Sequence, residues 1–322
     1  MGESKFKVVF TDFDFPSIDI EKNILSELGC EFLTPQTISD ENKLIEACRD
    51  ADGLLVQYAQ INEKVINSMT KCKVISRFGV GVDSVDGKAA RAKGINLCNV
   101  PDYCTDEVAE HSLALIASLG RKIVQLSNAV KSGIWDVLIG KPIFSFKKQT
   151  LGLIGFGKIP QSLSLKAKNL FKEILIYDPF ISQDIADKFG VRISTFYDIL
   201  RTCDFISIHC PSNESTKHMF SLREFQLMKS TAFLINTSRG AIVNTDDLYQ
   251  ALDTGLIAGA GLDVLEKEPA EVNFKLFRFD NVLITPHAGF YSETAIEDLH
   301  KKWALNVYRI LKGETPLNVV NL

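Results

Sequence analysis

The sequence lacks the features that mark a zinc protein, a membrane protein or a disulfide-rich secreted domain. Its seven cysteines include no Cys-x-x-Cys pair, and its five histidines form no His-Glu-x-x-His array, so we expect no metal site. No apolar run is long enough to cross a bilayer, and Met1 to Phe10 lacks the apolar centre of a signal peptide. We therefore expect a cytoplasmic protein with reduced thiols and no membrane partner.

A strong excess of charge of either sign is also missing. The 36 basic residues nearly balance the 40 acidic ones, and no dense Lys/Arg run occurs, so nucleic acid is not an expected partner. With 322 residues and a hydrophobic content of 46%, the chain is long enough to form two domains with separate cores.

Short β-branched runs alternate with longer helical patterns along most of the chain. The first series begins at Lys7-Val8-Val9-Phe10, and a second series restarts at Leu151-Gly152-Leu153-Ile154. This alternation predicts an α/β fold with two parallel sheets of Rossmann-like type. Between them, apolar residues at helical spacing from Val108 towards Ile134 predict one long helix. A last helix, from about Tyr291 to Lys312, is expected to return to the first sheet, which makes the outer domain discontinuous.

A glycine turn follows the first strand of the second series. Gly155-Phe156-Gly157 lies between that strand and a helical pattern, a context in which backbone N–H groups can approach a pyrophosphate. Asp178 closes the next strand at the spacing of a ribose ligand, and no Arg or Lys follows it directly. The pattern predicts NAD rather than NADP as cofactor. Pro160 replaces the third glycine of the usual motif, so an effect is expected on cofactor affinity.

Three later segments lie at or just after predicted strands of the second sheet. They contain Arg239, Glu268 and His287. Reduction of a 2-keto acid requires a fixed cation, a proton donor, and a group that keeps that donor charged. The Arg, the His and the Glu respectively meet these needs, since a carboxylate beside an imidazole favours the imidazolium form.

These segments resemble the D-isomer-specific 2-hydroxyacid dehydrogenase family, and the resemblance runs in order through nearly the whole chain. It is carried by Asn236 to Gly240, Gly261 to Pro269, Thr285 to Gly289, Arg77 to Asp83, and Asn99-Val100-Pro101 with Val108 to His111. The segments Asp102 to Glu107 and Phe290 to Glu293 most resemble the branch of the C-terminal binding proteins and the phosphoglycerate dehydrogenases.

The resemblance implies roles for individual residues. Arg239, Glu268 and His287 would be catalytic, and the substrate carboxylate would be bound by Gly79, Val80, Gly81 and Arg239. The predicted cofactor contacts are Val80, Gly155, Phe156, Gly157, Lys158, Ile159, Asp178, His209, Cys210, Pro211, Thr216, Thr237, Ser238, Asp263, His287 and Gly289. Residues 1–100 and 287–322 would form a flavodoxin-like substrate-binding domain, and residues 101–286 the NAD-binding domain. The family implies a homodimer, with Arg121 to Lys148 as the arm.

One segment departs from the pattern of the family, and two sets of candidate residues have simpler interpretations. Gln57-Tyr58-Ala59-Gln60 stands where phosphoglycerate enzymes carry an Arg-Ser-x-Thr segment, which argues against a phosphorylated substrate. Asp12 and Asp14, at the end of the first strand, are read as a polar turn. His111 follows Glu110 on an apolar helix, where neighbouring residues do not face each other, so we assign it packing and capping roles.

The main prediction is therefore an NAD-dependent dehydrogenase that acts on a small D-2-hydroxy acid of the glyoxylate, hydroxypyruvate or phosphoglycerate type. The alternative is an NAD(H)-sensing binding protein with little turnover, resembling the C-terminal binding proteins. Formate oxidation ranks lower, since the related enzymes carry Gln where Glu268 stands.

Overall fold

The computed structural model describes residues 5–36 and 40–320. Their contacts divide the chain into two compact units. The first comprises the chain up to Cys104 together with the segment from Ser292 onward, and the second is Thr105–Tyr291. Each limit lies a few residues beyond the boundary predicted from the sequence. His287 and Gly289 consequently belong to the second unit.

The first unit contains a five-stranded parallel sheet in the order β2-β1-β3-β4-β5. Its strands are β1 (Phe6–Phe10), β2 (Cys30–Leu33), β3 (Gly53–Val56), β4 (Val74–Arg77) and β5 (Asn96–Cys98). Its helices are α1 (Asp19–Leu25), α2 (Glu41–Cys48), α3 (Glu63–Ser68), α4 (Gly87–Ala92) and α12 (Glu293–Lys312). This strand order is that of the flavodoxin-like fold, as predicted.

Helices cover both faces of this sheet, which explains why its central strands are apolar throughout. All four residues of β3 are buried. On one face, Trp303 of α12 is fully buried, and its indole N–H donates to the carbonyl oxygen of Ser76 in β4 at 2.7 Å. The predicted return of the last helix to the first sheet is therefore correct.

The second unit contains a seven-stranded parallel sheet in the order β12-β11-β10-β9-β6-β7-β8. Its strands are β6 (Thr150–Ile154), β7 (Glu173–Tyr177), β8 (Arg192–Ile193), β9 (Phe205–Ile208), β10 (Phe233–Asn236), β11 (Gly259–Leu262) and β12 (Val282–Ile284). Its helices are α5 (Thr105–Gly120), α6 (Ile123–Lys131), α7 (Lys158–Ala167), α8 (Gln183–Phe189), α9 (Phe196–Thr202), α10 (Leu222–Leu227) and α11 (Thr245–Asp253). The predicted fold class, two parallel-sheet α/β domains, is confirmed.

The prediction of one long helix towards Ile134 is wrong, because the chain forms α5 and α6 instead. Lys122, between them, has a φ of 55°, a left-handed conformation that interrupts the helix. The last residue of α5, Gly120, lies so close to Phe146 that a Cβ atom would come within 2.5 Å of its ring. The apolar pattern continues past this break, so sequence periodicity alone does not reveal it.

Within residues 5–36 and 40–320, no helix is both long enough and apolar enough to span a bilayer. The same residues contain no group of three or more His, Cys, Asp and Glu side chains placed to hold a metal ion.

Candidate active site

Three neighbouring strands of the second sheet end at one edge. A predicted catalytic residue follows the end of each strand. Strands β10, β11 and β12 are adjacent and parallel, so their carboxyl ends lie side by side. Arg239 follows β10, Glu268 follows β11 and His287 follows β12. Open parallel sheets place their ligands at this edge.

The structure brings Glu268 and His287 into direct contact. Nδ1 of His287 lies 2.8 Å from Oε2 of Glu268, and the backbone N–H of Leu265 donates to Oε1 at 2.8 Å. Burial alone would raise the pKa of Glu268, but the hydrogen bonds from His287 and Leu265 hold it below its usual value. Because a carboxylate only accepts, Nδ1 carries a proton. Nε2 is then the ring atom that can give or take one.

Arg239 is held by its own loop and by the segment that leads to Glu268. The side chain of Asn236 donates to the carbonyl oxygen of Arg239 at 2.9 Å, and Nη1 of Arg239 donates to the carbonyl of Ser238 at 2.8 Å. At Gly240, a Cβ atom would lie 2.0 Å from the carbonyl carbon of Leu265. Only glycine permits this approach, which places the Arg239 loop directly against the Glu268 segment.

The loop that carries His287 is organised by Asp263, whose side chain is almost fully buried. Its carboxylate accepts from the backbone N–H groups of Ala288 and Gly289, both at 2.8 Å, and from the hydroxyl of Thr285 at 2.6 Å. Burial would raise the pKa of Asp263, but hydrogen bonds from His111 and Thr285 and from these amides lower it. His287 itself has a φ of 53°, and the hydrogen bonds of Asp263 to the neighbouring residues stabilise this conformation.

The predicted glycine turn lies directly after β6, in a backbone conformation that favours glycine. Gly155 has a φ of 90°, and a Cβ atom there would come within 2.9 Å of the backbone of His209 and Cys210. The next residue, Phe156, donates its N–H to Oδ2 of Asp178 at 2.8 Å. The turn after β6 is thus closely packed against the ends of both neighbouring strands, β7 and β9.

Space and hydrogen-bond donors for a pyrophosphate lie beyond this turn. A Cβ atom on Gly157 would meet nothing within 4 Å, and Gly157 is the N-cap of α7. The N–H groups of Lys158 and Ile159 have no intrahelical partner, and the first turn of α7 contains no acidic residue. Pro160 is buried in the same turn, where its missing N–H costs no helical hydrogen bond. These residues fit NAD.

The predicted adenosine-side residues lie on the loop after β9. This loop contains Cys210, Pro211 and Thr216, and the Thr216 hydroxyl donates to the carbonyl of Pro211 at 2.7 Å. Burial lowers the pKa of His209 to about 3, so its ring, 2.8 Å from the Ser207 hydroxyl, is neutral. The hydroxyl of Ser238 donates to the carbonyl of Cys210 and ties this loop to that of Arg239.

Gly79, Val80 and Gly81 belong to the first unit, where they follow β4. Gly79 has a φ of 121°, which favours glycine. The side chain of Asn99 donates to the carbonyl of Val80 at 2.6 Å, and Asn306 of α12 donates to the carbonyl of Asn99 at 3.2 Å. The loop is therefore fixed by the returning helix of its own unit.

Sequence reasoning missed two residues of α5 that contact the loops of the site. Nε2 of His111 lies 2.9 Å from the Thr285 hydroxyl, and the Ser112 hydroxyl lies 2.8 Å from that of Thr237. The assignment of His111 to packing and capping is thus incomplete. No local pattern signals these contacts, because the partners lie 174 and 125 residues apart in the chain.

Comparison with known proteins agrees with this geometry. Residues 113–289 match the family of the D-isomer specific 2-hydroxyacid dehydrogenase, NAD binding domain. A glyoxylate reductase from Thermococcus litoralis is 36% identical over 86% of this chain and 86% of its own length. A D-3-phosphoglycerate dehydrogenase from Methanocaldococcus jannaschii is 37% identical over 98% of this chain but only 59% of its own length.

A solved structure extends the similarity to the three-dimensional level. The D-lactate dehydrogenase of Aquifex aeolicus, complexed with NAD and lactic acid, superposes with a TM-score of 0.84 and 28% identity, covering 95% of this chain and 96% of its own. The matched sequence families, the two parallel sheets and the glycine turn with Asp178 lead to one conclusion. The chain belongs to the D-isomer-specific 2-hydroxyacid dehydrogenase family of NAD-dependent oxidoreductases.

Proposed function

We propose that this protein passes hydride between nicotinamide and a small, unphosphorylated D-2-hydroxy acid or 2-keto acid, with glyoxylate and hydroxypyruvate as the preferred keto acids. The observation that carries the proposal is the pair formed by His287 and Glu268 at 2.8 Å, on a loop edge shared with Arg239. The glyoxylate reductase of T. litoralis supports the choice of a small keto acid.

In this proposal the three side chains have different roles. Arg239 binds the substrate carboxylate and polarises the adjacent carbonyl group. His287 donates the proton on Nε2 to the carbonyl oxygen, and in the reverse direction accepts it from the hydroxyl group. Glu268 orients the ring and favours its protonated form. Bound NADH supplies the hydride that the carbonyl carbon receives, so that one hydride and one proton complete the reduction.

Residues of the first unit favour a substrate without a phosphate group. The side chains of Gln57 and Tyr58, at the end of β3, both donate to the carboxylate of Asp14, at 2.7 and 3.1 Å. These two donors are thus used internally, and a phosphate dianion placed next to the carboxylate of Asp14 would meet like charge.

A substrate screen followed by NADH absorbance tests the proposal. We expect turnover with glyoxylate and hydroxypyruvate, weaker turnover with pyruvate, and the weakest with phosphohydroxypyruvate. His287→Asn should reduce kcat by about 10³-fold or more while NADH still binds, as expected for loss of a general acid. Equal turnover by this variant and the wild type would contradict the assignment. A preference for the phosphorylated acid would contradict the substrate class.

We also propose a homodimer joined through the arm from Arg121 to Lys148. Large apolar side chains are exposed along it, and Trp135 is 89% exposed. The others are Ile123, Val124, Val130, Ile134, Val137, Leu138 and Phe144. Such a surface favours a protein–protein contact. Light scattering after gel filtration should give twice the chain mass, and Trp135→Ser with Val137→Ser should give monomers. A monomeric wild type would overturn the proposal.

A cytoplasmic location completes the proposal. All seven cysteines are free, and burial raises the pKa of several of the thiols, that of Cys30 to about 11. Unpaired, weakly reactive thiols suit a reducing compartment. Cell fractionation should recover the protein with cytoplasmic markers, and recovery in a secreted or membrane fraction would contradict this.

A further inference from the structure

Two consecutive residues of α5 contact two different loops of the candidate site. His111 reaches Thr285, on the loop that carries His287, and Ser112 reaches Thr237, on the loop that carries Arg239. Consecutive helical residues point about 100° apart, so one turn of a helix can hold two separate segments. The two contacts therefore tie both loops to a single rigid element.

The direction of each hydrogen bond follows from the neighbouring partners. The Thr285 hydroxyl donates its proton to the carboxylate of Asp263 at 2.6 Å, so it accepts from Nε2–H of His111. His111 therefore carries a proton on Nε2, either as the neutral Nε2–H tautomer or as the imidazolium. In the second contact, Ser112 donates to the carbonyl of Val108 at 2.7 Å, so the hydroxyl of Thr237 donates to Ser112.

The helix is itself firmly held against the sheet. Ser112 is fully buried, and Leu115 and Leu119 lie against Gly261 of β11, where a Cβ atom would come within 3.2 Å of both side chains. The side of α5 that contacts the loops is therefore continuous with the side that packs on the central strands. Such a helix can set the position of a loop more accurately than a second loop could.

We propose that His111 and Ser112 are positioning residues that fix the His287 loop and the Arg239 loop relative to each other. His111 acts through Thr285 and Asp263, whose carboxylate holds the N–H groups of Ala288 and Gly289. Ser112 acts through Thr237, two residues before Arg239. The inference rests on the roles of Arg239 and His287 proposed above.

The kinetic signatures of the two residues should differ according to the loop that each one holds. In His111→Ala, we expect kcat for glyoxylate to fall about tenfold or more with a smaller change in KM, because proton donation belongs to the transition state. In Ser112→Ala, KM for glyoxylate should rise several-fold with a smaller change in kcat, because Arg239 also binds the ground state. His111→Gln keeps an N–H donor and should recover most of the loss.

Matched variants separate positioning from general loss of packing. Ser164→Ala removes another buried helical serine that donates only to a backbone carbonyl of its own helix, and it should match the wild type in kcat and KM. Thr285→Val should reproduce the His111→Ala signature, and Thr285→Ser should not. If His111→Ala fails to fold, Thr285→Val and His111→Gln still carry the test.

The inference is overturned if kcat of His111→Ala, or of Thr285→Val when the alanine variant does not fold, stays within twofold of the wild type. The inference is also overturned if His111→Ala and Ser112→Ala change kcat and KM in the same way and His111→Gln does not restore activity. The variants His287→Asn and Arg239→Ala test the proposed roles of these two residues separately from the positioning role of α5. If these retain turnover, the proposed function is wrong. If they are inactive while the α5 variants match the wild type, only the positioning role is wrong.

Discussion

The backbone N–H of Phe156 donates to Oδ2 of Asp178 at 2.8 Å, which fixes the carboxylate at the end of β7 against the glycine turn after β6. The N–H of Phe180 donates to the other oxygen at 2.9 Å. Both oxygens are thus oriented by backbone N–H groups of the protein itself. A preoriented carboxylate favours ribose hydroxyl groups and repels a 2′-phosphate.

We expect NADH to be preferred strongly over NADPH, and the preference to shrink in Asp178→Asn. The amide keeps an acceptor for Phe156 but removes the charge, so the loss of discrimination should be roughly tenfold to hundredfold in the ratio of kcat/KM values. The measurement is kcat/KM for both cofactors with glyoxylate saturating. An unchanged ratio would show that Asp178 does not set cofactor choice.

Two glycines of the same turn should respond differently to alanine. Gly155→Ala adds a Cβ atom 2.9 Å from the backbone of Cys210 at a positive φ, so it should lower the free energy of unfolding by about 1–3 kcal/mol. Gly157→Ala meets nothing within 4 Å and should leave stability nearly unchanged, yet weaken NADH binding by filling the space for the pyrophosphate. Urea unfolding and NADH fluorescence titration measure both effects. Equal destabilisation by the two would contradict this.

The pair formed by Glu268 and His287 predicts a shift in the pH profile. The pKa of Glu268 is held below its usual 4.5, so its carboxyl group is charged at every pH above that value. The charge is lost only as the pH falls through the lowered pKa. Glu268→Gln removes this charge, so the alkaline decline of keto-acid reduction should move to lower pH. Profiles of kcat between about pH 5 and about pH 9 test this. Coincident profiles would mean that the carboxylate does not support the acid.

His209 predicts a loss of stability in acid. An unfolded histidine gains a proton below its usual pKa of 6.5, whereas the folded one does so only near 3. The unfolded state therefore binds more protons, and stability should fall by about 1–2 kcal/mol as the pH drops from neutral to about 5. Urea titrations at both pH values, with His209→Gln as the matched variant, measure this. His209→Gln should lose less stability than the wild type over the same fall in pH. An identical decline in both proteins would assign acid lability to other groups.

The features that could be predicted from the sequence are those encoded by neighbouring residues. The strand before Gly155, the turn itself and Asp178 form one local pattern, and the carboxyl ends of parallel strands must share an edge, which brought Arg239 and His287 together. The break at Lys122 was missed because apolar spacing continues across it. The contact of His111 with Thr285 joins residues 174 positions apart, and neither residue type is informative alone.

The left-handed backbone of His287 has a consequence for redesign of this enzyme. At a φ of 53°, β-branched and bulky side chains are strongly disfavoured, whereas glycine, asparagine, aspartate and histidine are tolerated. In a library with all amino acids at this position, the left-handed backbone would therefore decide which variants keep the loop conformation, whatever their ability to transfer a proton. Inactive members with Val or Ile would report on loop geometry, and only the small tolerated set would report on proton transfer.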